Sequence, residues 1–391
     1  MNAAFGDDDA TSSSAGSTEG TSGTSTATTA AQTDASAEGT TTSPPTTLPP
    51  TTETTSTGEE ATTDSDGEPG GTVVIPVDFF ERPLDLPFFV ARLRLNEAAL
   101  FGFDPERIRV LDPNRNVPLP FEYIEVDPAR GVLDFWVELP VWRTGGATPV
   151  DVYIDAPPDP PQSPWQHACA VWSFDLPAVA ENLATGTMGT FFGGVAAQPP
   201  LDEGVVAQAL AFDGLDDRFE AEVTPCGPEL TAYAWVRQLS AEAGIRPIVA
   251  ANSGWENGQR VDWGLAIVDG EELQARGRSS GTITIGSGYP DDGDWHHVGL
   301  RWSGDGLSLF LDGTEVGGGN LSPPPNVFAE PIISVAGFVG GPNIGSAGHL
   351  NARVDEVSVF AGAPPAAWFE SVVENQADPE ATYAVGRPYP L

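Results

Sequence analysis

The stretch Asp292–Val316, "DGDWHHVGLRWSGDGLSLFLDGTEV", decides the fold of this 391-residue chain. Apolar side chains alternate along two runs in it, Val298–Trp302 and Leu307–Leu311, and a period of two is typical of strands with one buried face. The turns Ser303–Gly306 and Asp312-Gly313 bound the second run, since Asp and Gly tolerate the backbone conformations of tight turns. The stretch therefore predicts a β-meander.

Two adjacent histidines, His296 and His297, lie among carboxylates in this stretch, which raises the question of a zinc site. Neighbouring residues of a strand point to opposite faces, so the two imidazoles cannot hold one ion. The same alternation places the neighbouring acids Asp355 and Glu356 of "VDEV" on opposite faces. We therefore expect structural roles for the histidines and no acid–base pairing of the two carboxylates.

The residues from 168 to 391 continue the alternating pattern, with strand-length runs spaced as in a β-sandwich. One helix is predicted, because Pro364-Pro365 can start it and "AAWFESVVENQ" continues it. The predicted strands of this part of the chain are "CAVWSFD", "QALAFDG", "LTAYAWVRQ", "IRPIVAANS", "WGLAIVDG", "TITIGSG", "WHHVGLRW", "GLSLFLDG", "ISVAGFVGG" and "NARVDEVSVF".

Several of these motifs resemble the laminin-G-like domains of the concanavalin A-like lectin/glucanase superfamily. Besides the opening stretch, "AVWSFD", "ALAFDGLDDRFE", "LTAYAWVR", "DWGLAIVDGEELQAR" and "NARVDEVSVFAGAPPAAWF" follow in that family's order over about residues 168–375. The resemblance implies an all-β, antiparallel jelly-roll sandwich. It also implies a module that binds glycans or proteins without catalysis, sometimes with calcium.

A smaller β domain is predicted over residues 72–155, before a proline-rich linker at 156–167 and the jelly roll at 168–391. Its strands are "TVVIPVDF", "PFFVARLRL", "RIRVLD", "PFEYIEVD", "GVLDFWVELP" and "TPVDVYID". The pattern "RIRVLDPNRNVPLPFEYIEVD" and "VLDFWVELPV" is similar to a bacterial family of unknown function that precedes laminin-G-like modules. That family usually ends in Tyr-Gly-Asn, whereas this chain has Asp155-Ala156-Pro157.

Residues 1–71 are rich in Ser, Thr, Pro and acids and contain a single aromatic residue, Phe5. Such a composition cannot bury enough apolar surface to offset its ordering entropy, so a disordered stalk is predicted. An acidic run, Asp7–Asp9, resembles that of surface lipoproteins, but Phe5 stands near it in place of a lipidated cysteine. No apolar signal core is evident. The stalk predicts an extracellular or cell-surface protein, with envelope tethering unsupported by these residues.

The charge composition argues against two classes of partner. The formal net charge is −39, and all 17 basic residues are arginine. Nucleic acid and anionic lipid surfaces bind clustered cations, so neither is expected as a partner. No run of 18 apolar residues is present, so no membrane-spanning helix is expected.

Cys169 and Cys226 fit either one disulfide of a secreted protein or two buried thiols. In "FDGLDDRF", Asp213, Asp216 and Asp217 present hard oxygens on one turn, which suits a structural Ca²⁺ held by Asp213 or Asp216. The alternative is an Asp-Gly turn whose carboxylates accept bonds from local amides.

Two loop aromatics are candidate ligand contacts. Trp255 and Tyr289 lie in polar, glycine-rich loops, and Asn257 and Asp291 are polar neighbours that suit a glycan. The alternative is an aromatic ring folded onto the edge of the sandwich. By contrast, four tryptophans fall within alternating strands and are expected in the core: Trp172, Trp235, Trp263 and Trp302.

An enzyme is the minor alternative. Laminarinase-like hydrolases of the superfamily carry a Glu-x-Asp-x-Glu pattern, whereas "FEAEV" has Glu220 and Glu222 with an alanine between them. We therefore expect a non-enzymatic binding protein. Its partner is expected to be a glycan. The alternatives are adhesion to a surface or matrix protein and a structural module of the matrix or envelope, and the oligomeric state is left open.

Overall fold

The computed structural model describes residues 71–157, 159–160, 162–175, 179–193, 198–224, 226–251, 262–278, 282–323, 332–338 and 348–391. They belong to one compact unit. The stalk predicted at residues 1–71 lies outside this range except for Gly71.

The first β module, residues 73–154, contains short 3-10 helices at Ala98–Leu100 and Pro105–Arg107. Its strands are β1 (Val73–Phe79), β2 (Leu86–Asn96), β3 (Arg109–Asp112), β4 (Val117–Pro118), β5 (Phe121–Asp127), β6 (Val132–Trp142) and β7 (Thr148–Ile154).

The jelly roll, residues 168–361, follows. Its strands are β8 (Ala168–Trp172), β9 (Glu181–Asn182), β10 (Thr187–Met188), β11 (Thr190–Phe192), β12 (Leu201–Glu203), β13 (Gln208–Asp213), β14 (Arg218–Glu222), β15 (Leu230–Gln238), β16 (Ile245–Ala251), β17 (Trp263–Val268), β18 (Glu272–Arg278), β19 (Thr282–Gly288), β20 (His296–Ser303), β21 (Gly306–Leu311), β22 (Thr314–Gly319), β23 (Ile332–Val335) and β24 (Asn351–Ala361).

The chain ends with helix α1 (Ala366–Ala377), a 3-10 helix (Pro379–Thr382), β25 (Tyr383–Val385) and β26 (Tyr389–Pro390). Helix α1 begins directly after Pro365, which confirms the predicted start. Both last strands pair with β1, so the C-terminal segment completes a sheet of the first β module.

Two antiparallel sheets form the jelly roll, in the orders β11-β14-β23-β16-β17-β18-β19 and β12-β13-β24-β15-β20-β21-β22, with β8 also paired to β24. The all-β, jelly-roll class predicted from the sequence is therefore confirmed. The meander of Asp292–Val316 becomes β20, β21 and β22, paired in succession as predicted.

The core of the jelly roll lies between these two sheets. Val298, Leu300 and Trp302 of β20 pack in it together with Trp172 and Trp263. Residues of the opposite parity point away from this core, as the alternation of a strand requires. A disulfide joins Cys169 at the start of β8 to Cys226 before β15, with their Cα atoms 5.7 Å apart.

A second hydrophobic cluster joins the first β module to the outer face of the eight-stranded sheet, the face turned away from the core. Tyr233, Phe310 and Phe360 from that face pack there with Phe89 and Trp142 of the first β module. Helix α1 lies in the same cluster, contributing Trp368, Phe369 and Val372. The two modules consequently share one buried apolar junction. Their division at residues 155 and 168 stays a prediction.

One expectation about alternation is wrong. The register between β15 and β24 shifts from Tyr233–Ser358 to Trp235–Asp355, which inserts an extra residue in β24. Glu356 lies at this bulge with a φ of +51°. Because Val354 and Val357 both point into the core of the jelly roll, the bulge leaves Asp355 and Glu356 on the same outer side.

Candidate functional site

The aspartates predicted to hold a metal do converge. One carboxylate oxygen from each of Asp213, Asp216 and Asp217 lies within 4.8 Å of the others. Asp213 Oδ1 accepts hydrogen bonds from the backbone N–H of Leu215, at 2.8 Å, and of Asp216, at 3.4 Å. The local Asp turn and the carboxylate cluster therefore coexist at the end of β13.

The electrostatics of this cluster suit a cation. Burial, followed by repulsion from Asp213, raises the pKa of Asp217. Gly193 leaves room for this carboxylate, because a Cβ atom at residue 193 would lie only 2.3 Å from Asp217 Oδ1. Three hard oxygens would supply part of the six to eight ligands that Ca²⁺ takes.

The structure describes only part of the predicted ligand-binding loops. Trp255 and Asn257 lie outside the described residues. Tyr289 is only 5% exposed and donates a hydrogen bond to Val236 O at 3.3 Å, so the expectation of an exposed ring is wrong for Tyr289. Its ring packs edge-on against His296 and belongs to the hydrophobic core of the jelly roll. Asp291 is exposed two residues further along.

The loop that carries Asp291 leads to an open pocket of about 340 Å³, here called the Trp295 pocket. It is lined by Asp202, Glu203, Gly204, Arg237, Trp295 and Arg353.

Adjacent strands place these side chains in a row. Arg237 of β15 lies directly opposite Arg353 of β24. Val236 and Val354, their neighbours, point into the core of the jelly roll, so both arginines lie on the outer face of the eight-stranded sheet. Trp295, half-buried, immediately precedes β20, the other neighbour of β15.

Hydrogen bonds hold the charged groups of the pocket in place. Arg353 Nε donates to Asp202 Oδ2 at 2.6 Å, which offsets the unfavourable pairing of two arginines. The backbone N–H of Glu203 and then Arg353 lower the pKa of Asp202. Arg237 Nε donates to Gly293 O at 2.6 Å and so ties the loop before Trp295 to β15. The pocket therefore presents fixed donors and acceptors beside an indole ring.

Sequence reasoning missed this pocket although one signal was present. Trp295 has the parity of His297 and is out of phase with Val298 and Trp302, which predicts a tryptophan directed away from the core. The cross-strand neighbours Arg237 and Arg353 are 116 positions apart, and only the strand order of the sheet brings them together. No local pattern carries that information.

The histidine pair has the predicted geometry. His296 lies between Asp312, at 2.8 Å from Nδ1, and Asp292, at 3.1 Å from Nε2. Burial works against its protonation, but the two carboxylates together leave its pKa raised. His297 points to the other face, where it packs against Tyr233 and Trp235 and where burial lowers its pKa to about 3.

The two glutamates considered for the enzyme alternative line a second pocket. Glu220 and Glu222 line a cavity of about 320 Å³ together with Phe192 and Met188. Glu220 accepts a hydrogen bond from Arg218 Nε at 2.7 Å, and that guanidinium lies over the Phe192 ring. Glu220 thus serves as a counterion, a role different from that of a free general acid.

A family model matches part of the jelly roll. Residues 217–368 match a laminin-G family model described as the concanavalin A-like lectin/glucanases superfamily. The match confirms, for these residues, the resemblance to laminin-G-like domains that the motifs predicted. No curated protein has a matching sequence. Among the described residues, none of the helices has the length and apolar character that crossing a bilayer requires.

Solved structures are similar at low identity. Domain 4 of an extracellular arabinanase from Geobacillus stearothermophilus, in complex with arabinotriose, is 13% identical, with 53% of this chain and 98% of that domain covered and a TM-score of 0.39. A botulinum neurotoxin type C structure, whose title describes cell entry dependent on two ganglioside molecules, is 9% identical, with 54% and 51% covered and a TM-score of 0.41.

A Trypanosoma rangeli sialidase is 14% identical, with 54% and 33% of the two chains covered and a TM-score of 0.38. The chain spans about half the length of the neurotoxin chains that it matches.

Proposed function

We propose that the jelly roll is a non-catalytic carbohydrate-binding module and that the Trp295 pocket holds the sugar. The observation that carries the proposal is the row formed by Trp295, Arg237 and Arg353 on the outer face of the sheet, with Asp202 fixed beside it. It is an open pocket in which charged groups from several strands converge beside one aromatic ring.

The chemistry of a pyranose ring matches these groups. Its C–H face stacks on an indole, and each hydroxyl both donates and accepts hydrogen bonds. Guanidinium groups only donate, and ionised carboxylates only accept, so a pair of neighbouring hydroxyls satisfies Arg353 and Asp202 together. The lowered pKa of Asp202 keeps its acceptor oxygens available in mildly acidic solution.

Trp295→Ala should weaken saccharide binding at least about tenfold, because the alanine removes the stacking surface while the sheet remains intact. A glycan array identifies a binding saccharide, and titration calorimetry then compares the variant with the wild type. Trp295→Phe, which retains an aromatic ring, should bind with intermediate affinity. Glu271→Gln is the matched control, because Glu271 is exposed between β17 and β18 of the other sheet. Equal affinity of Trp295→Ala and the wild type would refute the assignment of this pocket.

Calcium at the Asp213 cluster is a second part of the proposal. At a free concentration of one hundred times its dissociation constant, Ca²⁺ should add about 2.7 kcal/mol to the free energy of unfolding. Melting with calcium and with a chelator measures this, and Asp216→Asn should abolish most of the difference. The absence of any shift at millimolar Ca²⁺ would show that the aspartates serve the turn alone.

An extracellular or cell-surface setting, in which the stalk holds the modules away from the envelope, is also proposed. The disulfide between Cys169 and Cys226 supports it, since such bonds persist in oxidising compartments. Adhesion to another protein is the alternative for the binding partner. An array without a bound glycan, followed by capture of a surface protein, would favour that alternative.

A further inference from the structure

Two adjacent carboxyl groups are buried where the outer face of the jelly roll meets the first β module. The bulge in β24 directs Asp355 and Glu356 to the same side, and both are fully buried. Asp355 Oδ2 accepts hydrogen bonds from the backbone N–H groups of Val205, at 2.8 Å, and Val206, at 2.9 Å. Among the described residues, Asp355 Oδ2 is the one carboxyl oxygen of the pair that accepts hydrogen bonds.

The other three carboxyl oxygens have no partner among the described residues: Asp355 Oδ1, Glu356 Oε1 and Glu356 Oε2. A buried ionised carboxylate without hydrogen bonds is very unfavourable, whereas a protonated one costs far less. The positive φ of Glu356 adds backbone strain at the same position.

The charges around the pair do not supply the missing compensation. Arg92 of β2 is the cation that acts on Glu356, but it is bound to Asp134 of β6, at 2.8 Å. The other ionisable groups that act on the pair are acids or a phenol: Asp175 after β8, Glu122 of β5 and Tyr233 of β15. The chain contains no lysine that could approach.

A bound metal ion is a poorer match than a proton here. Among the described residues, the group of three or more candidate ligands close enough to share an ion is the Asp213 cluster, and neither Asp355 nor Glu356 belongs to such a group. Two neighbouring carboxyl groups repel each other when both are ionised and no cation neutralises them. Such a pair retains protons instead.

We infer that Asp355 and Glu356 form a proton-binding site at the junction of the two β modules, which stabilises the junction most in acidic solution and progressively less as the pH rises above about 4.

The direction of the pKa shifts agrees. Burial raises the pKa of both groups well above the ordinary range, and for Glu356 the next cause is repulsion from Asp355. Burial also raises the pKa of the nearby Asp175 to about 7. The folded chain thus keeps protons that the unfolded chain releases above a pH of about 4. Its stability is full below that pH and declines as the pH rises towards the folded-state pKa values.

Glu356→Gln tests the inference because it keeps the shape of the side chain and cannot ionise. The variant and the wild type should melt at similar temperatures at pH 5. As the pH rises, the melting temperature of the wild type should drop below that of the variant, and at pH 9 the variant should melt about 5–10 °C higher. Glu271→Gln, an exposed control, should track the wild type at every pH.

Infrared spectroscopy of the wild type provides a second measurement that does not depend on folding of the variant. The carbonyl stretch of protonated carboxyl groups should persist above pH 7, where exposed acids are ionised. A constant melting difference between pH 5 and pH 9, or loss of that stretch by pH 6, would overturn the inference. Either outcome would leave the proposed sugar site unaffected, since no residue of the Trp295 pocket is altered.

Discussion

Arg92→Met is expected to lower the free energy of unfolding by about 3–5 kcal/mol, because buried Asp134 loses its close counterion and keeps only the longer contact with Arg94 Nε, at 3.8 Å. The ion pair is almost completely shielded, with 7% of the Arg92 side chain and 2% of the Asp134 side chain exposed. Arg92 Nε donates to Asp134 Oδ1 at 3.2 Å, in addition to the contact through Nη2.

The same guanidinium connects three parts of the chain. Its Nη1 donates to Val205 O of the jelly roll, at 3.3 Å, and to Gln376 O of helix α1, at 3.1 Å. The backbone of Arg92 also exchanges hydrogen bonds with the side chain of Asn375. Its loss should therefore loosen the junction as well as the first β module.

Denaturant unfolding of the variant and of Arg92→Met/Asp134→Leu separates the causes. The double variant removes both charges and should recover much of the lost stability, since a buried ion pair can be replaced by apolar groups at little cost. A single variant within about 1 kcal/mol of the wild type would contradict the buried junction, because exposed ion pairs contribute no more than that.

Reduction of the disulfide between Cys169 and Cys226 is expected to cost about 4 kcal/mol, because the bond restricts the unfolded chain over a long loop. The two cysteines are separated by 57 positions. They connect β8 to the segment before β15, and both side chains are buried in the core of the jelly roll.

Thermal melts with and without a thiol reductant measure this effect. The double variant Cys169→Ala/Cys226→Ala is the control, because its melting temperature should be low and indifferent to the reductant. If the wild type melts at the same temperature in both conditions, either the bond does not form in solution or it adds nothing to stability.

Much of the fold follows from local pattern. The alternation in Val298–Trp302 and the turns at Ser303–Gly306 specify β20 and β21 because a sandwich strand has one buried face. Pro365 marks the start of helix α1. The bulge at Glu356 was not predictable in this way, since one inserted residue reverses the parity of the strand without changing its composition.

The site depends on information that local pattern lacks. The aspartates of one turn, Asp213, Asp216 and Asp217, are near in sequence and were found. Tyr289 was misjudged because a polar loop can still fold its aromatic ring onto the sandwich. The Trp295 pocket depends on which strands are neighbours in the sheet, and the pairing of Arg237 with Arg353 is set by packing over the whole jelly roll.

The most direct test of sugar binding on the outer face is to follow the indole N–H resonances of the 10 tryptophans during titration with a saccharide identified on an array. The account predicts a saturable shift of the Trp295 resonance, while those of Trp263 and Trp302, buried in the core, stay unchanged. A saturable shift at other tryptophans with none at Trp295 would contradict it.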